Sequence, residues 1–177
     1  MNSAAAGSEL KVLVKGYEEP LAVKSERDDE GESEPVTPGQ VAAYGRYELT
    51  QAESLAFAQA YDPQPFHLDM NAAESSLLGG LAASGWHACA ILMRLNCEGF
   101  MLDSTSQGAP GVEEVRWLKP LRPGTMLSAK REVLDARPSV SRPEMGLVRF
   151  RFELIANEAE TIMTQLGWIM FGRRGAV

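Results

Sequence analysis

The chain is poor in the residues that most often carry metal, disulfide or nucleophilic chemistry, with two cysteines and two histidines in 177 residues. Cys89 and Cys97 fall in one predicted helix. At 1.5 Å rise per residue their Cα atoms stand roughly 12 Å apart, too far for a disulfide. Neither the cysteines nor His67 and His87 give CxxC or HxxxH spacing, so no metal site and no bound cofactor are expected. Free, buried thiols suit a reducing compartment, which makes the cytoplasm the expected location. No apolar run reaches membrane-spanning length, and no basic stretch leads into an apolar one near the start. Neither a membrane helix nor a secretory signal is expected. A Lys/Arg-rich block is also missing, and the net charge is −7. Nucleic acid and anionic membrane surfaces are therefore not expected as partners.

What is present describes one globular domain, long enough to bury a core. Ser25-Glu26-Arg27-Asp28-Asp29-Glu30-Gly31-Glu32-Ser33-Glu34-Pro35 lacks aliphatic side chains and cannot offset its ordering entropy by burial. Residues 1–37 are accordingly expected to form an acidic, flexible N-terminal extension, and residues 38–177 the folded domain. Two short apolar stretches in the extension, Leu10-Lys11-Val12-Leu13-Val14-Lys15 and Leu21-Ala22-Val23, could dock onto the body as a short strand or stay loose; the loose state is favoured.

Within the body, Tyr44 to Leu49 reads as a strand, and Thr50-Gln51-Ala52-Glu53 as a capping box opening a helix. Pro63 and Pro65 should end that helix and hold His67 on an extended turn. Asp69 is a candidate N-cap for a shorter helix, stopped by Gly79 and Gly80. From Ser84 to about Leu95 the composition is apolar almost all round, which predicts a helix wrapped by other elements. Beyond Gly108 the period becomes two, most clearly where Val148, Phe150, Phe152 and Leu154 alternate with Arg149, Arg151 and Glu153. One strand, several helices and then four long strands indicate an α+β fold, an antiparallel sheet curled around a central helix.

The residues with most chemical content are Tyr61-Asp62-Pro63-Gln64-Pro65-Phe66-His67 and, further on, Ser84-Gly85-Trp86-His87. A carboxylate and an imidazole five positions apart supply a proton acceptor and donor near neutral pH. A glycine opening a helix offers a backbone N–H to developing negative charge without a side chain in the way. His87 is the competing histidine, read as a helix-face residue bonded to a neighbour.

This pattern resembles the MaoC-like dehydratases, the (R)-specific enoyl-CoA hydratases with a hot-dog fold, over about residues 36–171. Asp62, Pro65, His67 and Gly85 match the family motif. The resemblance implies that Asp62 and His67 activate a water that adds to a trans-2-enoyl thioester. Gly85 would hold the enolate oxygen, with Gln64, Phe66, Ser84, Trp86 and Met93 around the substrate. It also implies an acyl-CoA substrate and a homodimer or higher homo-oligomer. Three positions depart from the pattern. Gln64 replaces the usual Asn, Ser84 the His before the glycine, and Met93 a polar residue two turns into the helix. A hot-dog acyl-CoA thioesterase and a non-catalytic acyl-CoA-binding subunit are alternatives on the same fold. Arg116, Lys119 and Arg122 are candidates for coenzyme A phosphates, or solvated charges as strand and turn cations usually are.

Overall fold

The computed structural model describes residues 11–12, 21–22 and 36–173. Lys11–Val12 (β1) and Leu21–Ala22 (β2) pair antiparallel with each other, outside the main sheet. The expected flexibility of the acidic run lies outside the described residues. Val36, the first described residue of the body, is fully buried in the core.

Val41–Glu48 (β3) leads into helix α1, Gln51–Tyr61. The capping box forms as expected: the Glu53 N–H donates to the Thr50 hydroxyl and the Thr50 N–H to the Glu53 carboxylate. Pro63 ends α1, because the residue before a proline is pushed out of the helical region. Asp62 takes that place as the C-cap. The two prolines act differently, however. Pro65 does not extend the chain but starts a one-turn helix, Pro65–Leu68 (α2), which carries His67. Proline suits a first helical position, where its φ is already set and its missing N–H has no partner to lose. Asp69 caps α3, Met70–Glu74, through the Ala72 N–H at 2.8 Å.

After a loop through Gly79 and Gly80, both at positive φ, the central helix α4 runs from Gly85 to Asn96. It widens into a π-helical turn, Cys97–Met101. Four long strands follow: β4 (Ser106–Trp117), β5 (Met126–Pro138), β6 (Met145–Ala156) and β7 (Glu160–Gly172). They form with β3 a five-stranded antiparallel sheet in the order β3-β5-β6-β7-β4. Asn157 and Glu158, both at positive φ, make the β6–β7 turn.

The sheet curls around one side of α4. Its inward residues Leu127, Phe150, Phe152, Leu154, Met163 and Phe171 meet Ile91, Leu92 and Leu95 of the helix. The sheet thus wraps the helix as expected, while Trp86 and Met93, on the face away from Ile91, Leu92 and Leu95, stay 60% and 45% exposed. Phe150 sits at the centre of the core, with ring centroids 5.2 Å from Phe152 and 5.8 Å from Phe100. Phe150→Ala is expected to cost about 3–5 kcal/mol through lost burial and the cavity left behind. Denaturant unfolding checks this; a loss under 1 kcal/mol would contradict this reading of the core.

Candidate active site

A cavity of about 370 Å³ opens at the N-terminal end of α4. It lies between the α1–α2 junction, the loop before α4, the end of β4 with Leu118–Leu121, and Ile162–Met163 of β7. Asp62, His67 and Gly85 all line it.

The cap position of Asp62 and the single turn of α2 turn the two side chains toward each other, with His67 Nε2 3.4 Å from Asp62 Oδ2. The opposite ring nitrogen, Nδ1, lies 2.7 Å from the Ala82 carbonyl oxygen. A carbonyl only accepts, so Nδ1 carries the proton and donates it there. In the neutral ring Nε2 is then an acceptor facing a carboxylate oxygen, itself an acceptor. Two acceptors at this distance are best joined by a group that gives each a hydrogen, as one water does.

Asp62 is held by two further donors. The Gln64 amide donates to Oδ1 at 2.7 Å, so the longer side chain at this position still reaches the carboxylate. The hydroxyl of Ser84, fully buried, acts on the same carboxyl and favours its ionised form. Ser84 is the main reason the Asp62 carboxyl lies below its ordinary pKa; partial burial opposes the shift, while Gln64 and His67 add to it.

Ser84 is also the N-cap of α4. A helix start leaves four N–H groups without intrahelical partners. The Trp86 N–H donates to Ser84 Oγ at 3.2 Å, and the N–H groups of His87 and Ala88 donate to the Ser84 carbonyl. The N–H of Gly85 is left with no acceptor among the described residues, at the positive end of the helix and on the cavity wall. A side chain at Gly85 has no room, since an added Cβ would lie 2.6 Å from a ring carbon of Trp117. That indole donates from Nε1 to the Gly85 carbonyl at 2.9 Å.

Of the other residues expected around a substrate, Gln64 and Trp86 line the cavity. Ser84 acts from behind, through Asp62. Phe66 does not line it and packs edge-on against the His67 ring, centroids 4.6 Å apart. Met93 also lies outside the cavity lining, half-exposed two turns along α4. Two turns carry it well beyond the helix start that the cavity encloses. His87, the competitor, points to α1, stacking on Phe57 at 4.4 Å; burial pushes its pKa down, against the opposing pull of Glu53. The cations considered for phosphates are engaged. Arg116 pairs with Glu114 at 2.8 Å and Lys119 with Glu160. Arg122 donates to the carbonyls of Leu78, Gly80 and Leu81. It thereby fixes the loop that presents Ala82 to His67. Trp117 and Ala82 were not readable as site residues, and Arg122 was read only as a phosphate candidate, because each of these bonds involves a backbone carbonyl that no side-chain motif records.

The chain belongs to the MaoC-like domain family, whose family model matches residues 33–148. It is similar to the uncharacterized protein YdeM of Bacillus subtilis (strain 168), with 32% identity over 113 residues that make up 63% of this chain and 78% of that protein. Among solved structures it is similar to the MaoC-like dehydratase from Rhodospirillum rubrum, at 37% identity and a TM-score of 0.71, covering 77% of this chain and 93% of that one. The (R)-hydratase from A. caviae involved in PHA biosynthesis is 19% identical, with a TM-score of 0.58 over 75% of this chain and 94% of that one. At that identity the likeness is one of fold. The fold is the hot-dog arrangement that the resemblance implied.

Because the Ser84 hydroxyl favours the ionised form of Asp62, Ser84→Ala is expected to raise the Asp62 pKa. In the wild type the depressed value contributes stability above the unfolded carboxyl's pKa of about 3.9 that is lost as pH falls through the folded value. The variant should lose part of that contribution. A carbon-detected NMR titration of the Asp62 carboxyl checks it; an unchanged or lower value in the variant would remove Ser84 from this role.

Proposed function

We propose that the protein is a hydro-lyase that adds water reversibly to a trans-2-enoyl thioester, giving the (R)-3-hydroxyacyl thioester. One observation carries this reading: a carboxylate and a tautomer-fixed imidazole 3.4 Å apart share a cavity with an N–H that has no acceptor among the described residues. A water held between Asp62 Oδ2 and His67 Nε2 is polarised by both. Its oxygen bonds to the β-carbon, the pair takes the released proton, and a proton is delivered to the α-carbon. The thioester oxygen gains charge on the way and is met by the Gly85 N–H. The reaction needs no oxidant, metal or cofactor of the protein's own; coenzyme A or another thiol carrier enters with the substrate. Family membership, the similarity to the R. rubrum dehydratase and the (R)-hydratase name of the A. caviae protein support this chemistry and its stereochemical sense.

The assay follows loss of the conjugated thioester absorbance with crotonyl-CoA and longer trans-2-enoyl-CoAs, then tests the product with a stereospecific 3-hydroxyacyl-CoA dehydrogenase. Asp62→Asn and His67→Ala are each expected to lower kcat/KM by about 10²–10⁴-fold, the range for positioned acid–base groups. Normal turnover in either variant would refute the mechanism. Release of free thiol without hydration would make the protein a thioesterase, and tight acyl-CoA binding without turnover a binding subunit.

The same reading includes a homodimer. β4 is an edge strand, and next to it Val112, Leu118 and Trp86 leave apolar surface open to solvent. An edge of this kind is a template for pairing with another chain. Light scattering on the full-length protein should give twice the chain mass; a monomer at micromolar concentration would exclude this assembly.

A further inference from the structure

Trp117 has no role in the reaction just described, yet its surroundings are unusually specific for a residue on an edge strand. It ends β4 opposite Met163 of β7 and stays 47% exposed, with one side of its ring against the cavity. The indole lies over the Cα of Gly85 so closely that no larger residue fits there. Its Nε1–H bonds the Gly85 carbonyl. Its ring meets Trp86 edge-on, centroids 5.3 Å apart. Cys89 lies one helical turn beyond Gly85, and the nearby indole N–H works against the upward push that burial gives its thiol pKa. Cys89 in turn touches the Met163 sulfur at 3.7 Å. Trp117, Cys89 and Met163 together bridge from the first turn of α4 to the sheet. Trp117 and Met163 line the cavity, whereas Cys89 lies behind it.

We propose that Trp117 is the specificity-determining residue of this site: its indole forms the wall that limits acyl length, and its N–H positions Gly85. The proposal rests on the acyl-thioester reading. A thioester oxygen at the Gly85 N–H puts the thioester carbon beside the indole, so the acyl chain meets this wall within a few carbons. A short enoyl chain fits in front of it. A long one must displace an indole that is held by a hydrogen bond and by ring packing. The two functions are separable. The ring area sets chain length, and the N–H sets the placement of the first helical turn.

The test compares wild type with Trp117→Phe and Trp117→Ala in two measurements. Turnover is followed with crotonyl-, trans-2-hexenoyl- and trans-2-octenoyl-CoA. Calorimetric binding uses butyryl-, hexanoyl- and octanoyl-CoA, which cannot be hydrated. Wild type is expected to prefer the four-carbon chain in both. Trp117→Ala should reverse or flatten that order, with octanoyl-CoA binding about tenfold tighter than in wild type, the gain for one or two methylenes entering an apolar pocket. Trp117→Phe keeps an aromatic wall but loses the donor. It should hold the chain-length order while kcat falls about three- to tenfold with KM little changed, the signature of an interaction lost mainly in the transition state. An Ala variant with the wild-type length order in both measurements overturns the proposal. So does a wild type that favours octanoyl-CoA. If Trp117→Ala does not fold, Trp117→Leu carries the same test. Should wild type bind the saturated thioesters with the expected order but hydrate none, the hydratase reading fails while the wall stands. Should it bind none of them, both fail.

Discussion

The site depends on how the buried start of α4 is satisfied. Ser84 sits there with no exposure to water, so every hydrogen bond at the helix entrance must come from protein groups or from a bound molecule. The Ser84 oxygens take the open N–H groups of Trp86 and His87 as well as the first regular helix bond from Ala88, and its hydroxyl favours the ionised Asp62 carboxyl. One residue thereby couples the carboxylate to the helix end and leaves the Gly85 N–H without a protein acceptor among the described residues. A His at this position would have to meet the same demands with two ring nitrogens. Serine meets them with a single oxygen and the carbonyl behind it.

The imidazole is controlled from the other side. Arg122, on the turn after β4, is surrounded by the carbonyls of Leu78, Gly80 and Leu81. Gly79 and Gly80 supply the positive-φ turn that gathers those oxygens around one guanidinium. The next residue, Ala82, presents its own carbonyl to His67 and so decides which ring nitrogen faces Asp62. The electrostatic state of the pair is thus written into a loop and a turn that contribute no acid or base of their own.

Much of this was legible in the chain. The alternation from Val148 to Leu154 marked β6, the Thr50–Glu53 box marked the start of α1, and Asp62, His67 and Gly85 marked one site by residue type and interval. The rest was hidden for physical reasons. Pro65 reads as a breaker, yet starts a helix, because a first-turn position asks for what proline lacks. Met93 shares a helix with Gly85, but sequence spacing does not say where a cavity ends. Trp117 looks like an ordinary strand aromatic until the sheet curls and puts it against Gly85. Arg131 alternates with inward residues of β5 and is buried, its guanidinium 4.2 Å from the centre of the Phe100 ring; periodicity predicts the direction but not that a cation will take it.

The π-helical turn at Cys97–Met101 divides the duties of α4 between its two ends. There the Tyr44 hydroxyl donates to Asn96 Oδ1 at 2.6 Å, and the Tyr44 ring lies where a side chain on Gly99 would be. Gly85 stands at the opposite end of the helix, about 16 Å away at 1.5 Å per residue. The helix is thus pinned at both ends, by Tyr44 on Asn96 at one and by Ser84 and Trp117 at the other. Its length is therefore fixed by two separate fits: each residue inserted between them would shift the Gly85 N–H by about 1.5 Å and turn it by about 100° relative to the Asp62–His67 pair.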